Sequence, residues 1–275
     1  MAANTVVIVT RPGAAGQSLT QALTQAQLEA VWWPAFAMDV RADAAAAEAF
    51  AHLSAYDCVV FVSPYAVVGV AALLRAPWPP SVALAAVGSG TAQAIRKHIV
   101  LNATHRLIEP AADSDAMDQE VRSGSEPLWA VLKVHSPKRV LIARAQRGRD
   151  WLAQKLRQAG AVVDDACVYQ RHPLPLTVEH AQRIIAWAQS GATLITVFTS
   201  SEAVSVTLDK EPSPGVDIGD ILRRAQTILR GQPAVATHPR IARQLTRCGA
   251  SHVSVLPGTP VSLINFVNTL SVSTS

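Results

Sequence analysis

The sequence predicts an α/β fold of two similar domains, each a parallel β-sheet flanked by helices. Three observations predict it. The chain has 275 residues, more than one ordinary core needs and enough for two. Short apolar runs alternate with amphipathic helical stretches, the pattern of buried parallel strands covered by helices on both faces. The chain also repeats itself: residues 7–36, shifted by 133 positions, lie on residues 140–169 without a gap.

In chain order, Val7-Ile8-Val9-Thr10-Arg11 reads as a buried strand ending in arginine. A polar turn and a helix carrying Leu19, Leu23 and Ala26 follow, then an extended segment over residues 31–36. Residues 59–67 read as a strand closed by Ser63 and followed by a helix, and residues 86–92 as a strand, a short loop at Gly88-Ser89-Gly90-Thr91 and a helix. Leu107-Ile108-Glu109-Pro110 is a strand stopped by proline, with a helix start expected at residues 113–115. The second series opens with Val140-Leu141-Ile142-Ala143-Arg144 and a helix on Leu152, Leu156 and Ala159. Gly160 takes the left-handed position that ends that helix. An extended segment over 164–169 follows. Residues 196–204 repeat the strand–serine–helix unit, residues 236–242 the strand–loop–helix unit, and residues 254–257 the strand stopped by proline, with a helix start at 259–261. Loops are expected at 77–80, 123–127, 172–176 and 210–216, where proline and polar residues gather. Periodicity leaves open whether the two series pack in simple tandem or the first unit packs with the last.

Composition excludes several classes. With 49% hydrophobic and 16% charged residues the chain is not a disordered one. Its longest apolar runs fall far short of the ~20 residues of a membrane span. Residues 1–4 show no basic region leading into an apolar stretch, so no signal peptide and a cytoplasmic location are expected. The net charge of +4, without a Lys/Arg run and with 5% aromatic residues, offers no nucleic-acid surface. Cys58, Cys167 and Cys248 stand far apart without a CxxC, and the eight histidines are equally scattered, so no metal site is expected. Trp32, Trp33 and Trp78 are candidates for exposure, and a monomer is expected.

In open parallel sheets, ligands bind beyond the carboxyl ends of the strands, where helix amino termini present free N–H groups. The residues at those ends are Arg11, Ser63, Gly88, Ser89, Thr91, Arg144, Thr199, Ser200, Ser201, His238 and Arg240. Small, hydroxyl-bearing or basic, they suit an anionic ligand held by amides, hydroxyls and guanidiniums. There is no GxSxG, HExxH or GxxxxGK[ST], and no carboxylate pair at these positions. Each residue also has a purely structural reading. A serine after a strand caps the next helix, a strand-end tyrosine such as Tyr169 packs and makes one hydrogen bond, and His238 is a solvated loop residue.

These motifs, in this order, resemble the uroporphyrinogen-III synthase family. Val9-Thr10-Arg11-Pro12 is similar to its first strand and turn, and Phe61-Val62-Ser63-Pro64-Tyr65-Ala66-Val67 to its Phe-Thr-Ser-x-x-Ala-Val element. Residues 86–92 resemble its Val-Gly-x-x-Thr-Ala loop. Arg144, Gly148, Arg149, Leu152, Leu156, Gly160, Val163, Val168 and Tyr169 follow its longest motif, and residues 198–204 repeat the strand–serine element. The resemblance implies a cofactor-independent lyase that dehydrates and cyclises hydroxymethylbilane, a linear tetrapyrrole with eight carboxylates. The last pyrrole is inverted through a spiro intermediate to give uroporphyrinogen III, whereas closure without protein leaves the ring uninverted. It implies a discontinuous domain of residues 1–35 and 174–275, an inserted domain of 41–167, linker strands at 36–40 and 168–173, and an active site in the interdomain cleft. It makes Tyr169 the catalytic candidate, donating a hydrogen bond or proton to the departing hydroxyl, and the upstream deaminase a transient hand-over partner.

The chain departs from that pattern where the family's Gly-Pro-x-Thr-Ala loop becomes His238-Pro239-Arg240-Ile241-Ala242. Either Arg240 and His238 grip carboxylates there, or that half of the site is weakened. The alternative reading is a catalytically silent two-domain protein binding another small anion. An NAD-linked enzyme is disfavoured, because Val87-Gly88-Ser89-Gly90 lacks the third glycine of the dinucleotide fingerprint.

Overall fold

The computed structural model describes residues 5–110, 124–146, 148–209 and 216–273. The chain runs β1 (Thr5–Val9), α1 (Gly13–Gln25), β2 (Glu29–Trp32), β3 (Phe36–Asp39), α2 (Ala44–Ala51), β4 (Cys58–Phe61), α3 (Pro64–Leu73), β5 (Ala83–Ala86), α4 (Ser89–His98) and β6 (Leu107–Ile108). It continues with α5 (Ser125–His135), β7 (Arg139–Ala145), α6 (Trp151–Gln158), β8 (Val162–Pro173), α7 (Val178–Gln189), β9 (Thr193–Phe198) and α8 (Ser201–Val204). A π-helical turn over Ser205–Asp209 extends α8 before α9 (Val216–Gly231), β10 (Pro233–Ala236), α10 (Pro239–Arg247), β11 (His252–Val255) and α11 (Pro260–Ser273). Two compact units result: Met1–Ala37 with His172–Ser275, and Met38–Arg171.

The first unit holds a sheet ordered β11-β10-β9-β1-β2, every neighbouring pair parallel. β1 sits between β9 and β2, with Val7 opposite Ile195 on one side and Ala30 on the other. Val6, Val7 and Val9 have no exposed surface, which is why this segment is unbroken β-branched sequence instead of an alternating one. Val7, Val9, Ile195, Val197 and Val235 pack with Leu19 and Leu23 of α1 and Leu263 and Val267 of α11.

The second sheet is ordered β3-β8-β7-β4-β5-β6. Here β7 lies between β8 and β4, in parallel. Alternation along β4 divides the core. Val59 and Phe61 face Val67, Trp78 and Leu141, whereas Cys58 and Val60 face Leu128, Leu132 and Leu156. The duplication therefore has a spatial form. β2-β1-β9-β10-β11 and β8-β7-β4-β5-β6 are the same strand order, but the β–α–β piece opens the chain of one unit and closes that of the other.

Local chemistry sets the ends of the elements. Ser63 caps α3 by accepting from the Ala66 N–H at 3.2 Å, and Pro64 fills the first helical position, where a missing N–H costs nothing. Gly160 ends α6 at φ +86°, as the sequence leads one to expect. The extended segment expected over 31–36 divides: β2 ends at Trp32, and beyond Pro34 the chain enters β3 of the other sheet. α6 starts five residues later than the 133-residue shift from α1 would place it, because Arg144 ties down the loop before it through Asp150 and the Arg149 carbonyl. α5 begins at Ser125 inside an expected loop, with Pro127 tolerated in its first turn. The helix start expected at 113–115 and most of the loop at 210–216 lie outside the described residues. Trp78 is 2% exposed, its indole N–H donating to the Val82 carbonyl at 2.8 Å, so that side chain offers no surface.

Candidate functional site

Parallel strands deliver their carboxyl ends to one edge of a sheet, so each unit presents its own row of strand-end residues. In the first unit, Arg11 follows β1, Thr199 and Ser200 follow β9, and Thr237 and His238 follow β10, on three adjacent strands. Ser200 caps α8 by accepting from the Ala203 N–H at 3.0 Å. Its neighbour Ser201 has a buried hydroxyl oxygen without a hydrogen-bond partner among the described residues, as does Thr196 within β9. His238 is the N-cap of α10: its Nδ1 accepts from the Arg240 N–H at 3.0 Å, which replaces the expectation of a free loop histidine. Arg240 is exposed on the first turn, and Ile241, where the family pattern has threonine, is 2% exposed in the core.

The second unit brings two of the predicted residues into contact. Ser63 Oγ donates to Tyr169 Oη at 3.0 Å, across 106 residues of chain. The two hydroxyls differ in setting. Ser63 is partly exposed at the end of β4, whereas Tyr169 is 1% exposed and belongs to the core with Phe61, Val67 and Val168. The Tyr65 ring lies 6.0 Å from the Tyr169 ring, and the Arg171 guanidinium 5.9 Å from its centroid. Between the helix and the strand that carry the pair sits Gly69, buried in α3. A Cβ there would lie 2.5 Å from the Val168 carbonyl oxygen, so only glycine lets α3 approach β8 this closely.

Gly88, two residues beyond β5, is the N-cap position of α4 and gives it no side-chain cap, while Ser89 and Gly90 are exposed on the first turn and Thr91 is buried. Neither α3 nor α4 carries an acidic residue in its first turn, nor do α1 and α10 in the other unit. Their positive ends are left uncompensated by their own side chains.

Arg144 is engaged elsewhere. Its Nη1 lies 3.0 Å from Asp150 Oδ1 and 3.1 Å from Asp165 Oδ1, and Arg157 meets the same two carboxylates at 3.5 and 3.6 Å. With 14% of its side chain exposed, Arg144 is a structural cation joining β7, β8 and the loop before α6. A guanidinium that the sequence reading passed over is better placed for an external anion. Arg41 is exposed beyond β3 and has no ion-pair partner among the described residues. It lines a depression of about 440 Å³ with Asp43, Gln146, Cys167 and Gln170. The available signal was its position, since Arg41, like Arg11, stands two residues beyond the end of a strand. Asp43 is committed in part, its Oδ1 accepting from the Ala46 N–H at 2.7 Å.

All three cysteine thiols are held above the ordinary range. Burial pushes the Cys58 thiol up to about 12 and, with an added hydrogen bond to Asp209, the Cys248 thiol up to about 11. Cys167 is raised by burial and then by the charge of Asp43. Among the described residues no group of three or more His, Cys, Asp or Glu is placed to hold a metal ion.

The chain matches the family model described as Uroporphyrinogen-III synthase HemD over residues 17–258. A curated uroporphyrinogen-III synthase from Proteus mirabilis is 32% identical over 171 residues, 60% of this chain and 79% of the relative. Two solved structures share the fold. A mutant uroporphyrinogen III synthase from the extremely thermophilic bacterium Thermus thermophilus is 13% identical with a TM-score of 0.56, covering 98% of this chain and 99% of that one. The uroporphyrinogen-III synthetase from Helicobacter pylori is 14% identical with a TM-score of 0.56, covering 97% and 99%.

Proposed function

Since the chain belongs to the uroporphyrinogen-III synthase family, we propose that its strand-end hydroxyls, amides and arginines hold hydroxymethylbilane so that the inverted ring closure is the near one. The protein is a cyclising lyase of tetrapyrrole biosynthesis. The observation that carries the assignment is the family match over 242 of its residues, 17 through 258. The geometry supports the chemistry. Loss of the terminal hydroxyl leaves an electrophile that closes readily by itself, so the protein's contribution is to select which carbon attacks, a matter of positioning. The carboxylates of the substrate suit the uncapped start of α4, the first turns of α3 and α10, and the guanidiniums of Arg11, Arg41 and Arg240. Thr199 and Ser200 supply hydroxyls in the first unit, as the exposed Ser89 does in the second, whereas the buried Thr91 and Ser201 hydroxyls stand behind them, and the Ser63–Tyr169 pair is the proton donor to the leaving hydroxyl. The reading extends to a monomer that works in the cytoplasm and receives its substrate by transient hand-over from the upstream deaminase. No helix among the described residues is long and apolar enough to cross a membrane.

The test is an isomer assay. Hydroxymethylbilane is generated in situ with its deaminase, the purified protein is added, and the oxidised uroporphyrins are separated by chromatography. Predominantly type III product is expected. Type I alone, from protein with an intact circular dichroism spectrum and a cooperative melt, would instead favour a silent anion binder, the reading to which the rebuilt loop at 238–241 points. Two arginine variants separate grip from scaffold. Arg41→Ala is expected to raise KM about tenfold, the loss of one charge-assisted hydrogen bond, with an unchanged melting temperature. Arg144→Ala removes the closer of the two cations that Asp150 and Asp165 share, leaving Arg157 alone at 3.5 and 3.6 Å, and is expected to cost about 1–2 kcal/mol, read as a lower Tm.

A further inference from the structure

We propose that Ser63 is the group that meets the departing hydroxyl and that Tyr169 supplies the proton from behind it, a two-hydroxyl relay; this rests on the reading that the chain dehydrates hydroxymethylbilane. The relay follows from burial and from counting hydrogen-bonding capacity. Tyr169 is 1% exposed, enclosed by Phe61, Val67 and Val168, so its hydroxyl is covered. Ser63, 3.0 Å away, is the partly exposed member of the pair. A serine hydroxyl has one proton and two lone pairs. One lone pair of Ser63 Oγ accepts from the Ala66 N–H, which anchors the side chain to the first turn of α3. The contact with Tyr169 uses the proton when Ser63 donates, as in this structure, and the second lone pair when the two hydroxyls turn about their C–O bonds. After that turn Tyr169 donates to Ser63, and the Ser63 proton points away from the core. No atom other than these two hydrogens moves.

The step balances. The C–O bond of the hydroxymethyl group breaks with its electron pair leaving on oxygen. That oxygen takes the Ser63 proton and departs as water, while Ser63 Oγ takes the Tyr169 proton. A phenolate remains beside the cationic azafulvene. When the new carbon–carbon bond has formed, the proton lost as the terminal ring regains aromaticity returns along the same two oxygens. Serine alone is too weak an acid for this task, and a buried phenol alone is out of reach. Together they put a phenol's acidity at the position of a serine.

Four variants test the relay in the isomer assay, with single-turnover rates and Tm recorded for each. Ser63→Asn keeps a side-chain acceptor for the helix start but removes the hydroxyl, Ser63→Thr keeps both, Tyr169→Phe removes the proton source, and Ser63→Asn/Tyr169→Phe combines the losses. Ser63→Asn and Tyr169→Phe are each expected to lower the rate of type III formation about 100-fold, the double variant no further than the slower single one, and Ser63→Thr to recover most of the loss. In mixtures of light and heavy water the wild-type rate should bow as for two protons in flight, and the curvature should vanish in Tyr169→Phe. A slow Tyr169→Phe beside a fast Ser63→Asn would overturn the proposal, because Tyr169 would then act directly. So would a slow Ser63→Asn beside a fast Tyr169→Phe, or losses that simply multiply in the double variant. Wild-type rates in both single variants would overturn the relay and leave the synthase reading intact. Type I product from the folded wild type would remove that reading and the relay with it.

Discussion

Gly69→Ala is expected to lower the apparent Tm by about 4–8 °C and to shift the product from type III toward type I. Alanine is the better helix former by about 1 kcal/mol, so propensity alone predicts stabilisation. Packing reverses the sign. The new methyl carbon would stand 2.5 Å from the Val168 carbonyl oxygen and 2.9 Å from the Val168 Cβ. The contact is with backbone of β8, at the point where its register with β7 shifts, and not with the end of a flexible side chain, so α3 must move off β8. Overpacking of this kind costs about 1–3 kcal/mol, and about 2 kcal/mol corresponds to the stated change in Tm. The catalytic effect follows from what the two elements carry. Ser63 is fixed to the start of α3, and Tyr169 is the residue after Val168. A helix shift of about 1 Å takes Ser63 Oγ and Tyr169 Oη out of hydrogen-bond range, and misplacement on that scale costs about 100-fold in rate. Stability and isomer ratio are measured on the same preparation. A variant that melts low yet keeps full type III selectivity would show that Gly69 only packs.

Gly16→Ala should be the most destabilising of these substitutions, lowering the Tm by about 6–12 °C. Gly16 is buried in α1 where the helix crosses the end of β1. A Cβ would meet the Arg11 carbonyl oxygen at 2.0 Å and the Trp32 indole nitrogen at 2.6 Å. Those two atoms are hydrogen-bonded to each other at 2.8 Å, so the methyl would force open a bond as well as a contact. Relief requires displacing α1, and with it the turn that carries Arg11. The top of the overpacking range, about 3 kcal/mol, corresponds to the predicted shift. Gly90→Ala is the internal control. Nothing lies within 4 Å of the position its Cβ would take, so thermal unfolding should be unchanged or slightly raised. Equal losses at Gly16 and Gly90 would remove the packing argument.

Much of the architecture was legible because burial in a parallel sheet leaves a direct trace in sequence. A strand covered on both faces must be a continuous apolar run, and Val6–Val9 or Cys58–Phe61 has few other uses. Helix starts were legible for a local reason. The Ser63 and Ser200 caps are bonds to an amide three residues on, within reach of a short motif. The site was legible in part. That strand-end hydroxyls and arginines gather at one edge of each sheet follows from parallel topology alone. Which arginine is free to bind does not. Arg11 and Arg144 occupy equivalent places in the duplicated segments, yet Arg144 is held by Asp150 and Asp165, while Arg41, outside the repeat, stands without an ion-pair partner among the described residues. Whether a charge is already neutralised depends on neighbours brought from other strands.

By itself, then, the sequence determined the alternation of strand and helix, the duplication, the helix caps and the family to which the chain is similar. All of these are written within a few turns of chain or in the order of motifs. The tertiary structure decided between the two packings that periodicity left open, pairing β1 with β9 so that one β–α–β piece opens its unit and the other closes it. It decided that Trp78 is core, that Gly16 and Gly69 are close-approach positions, and that Ser63 and Tyr169, 106 residues apart, share a hydrogen bond. The physical reason is common to all of these. Packing and hydrogen bonding act over a few ångströms of space without regard to separation along the chain, whereas periodicity and capping record only what neighbouring residues do to one another.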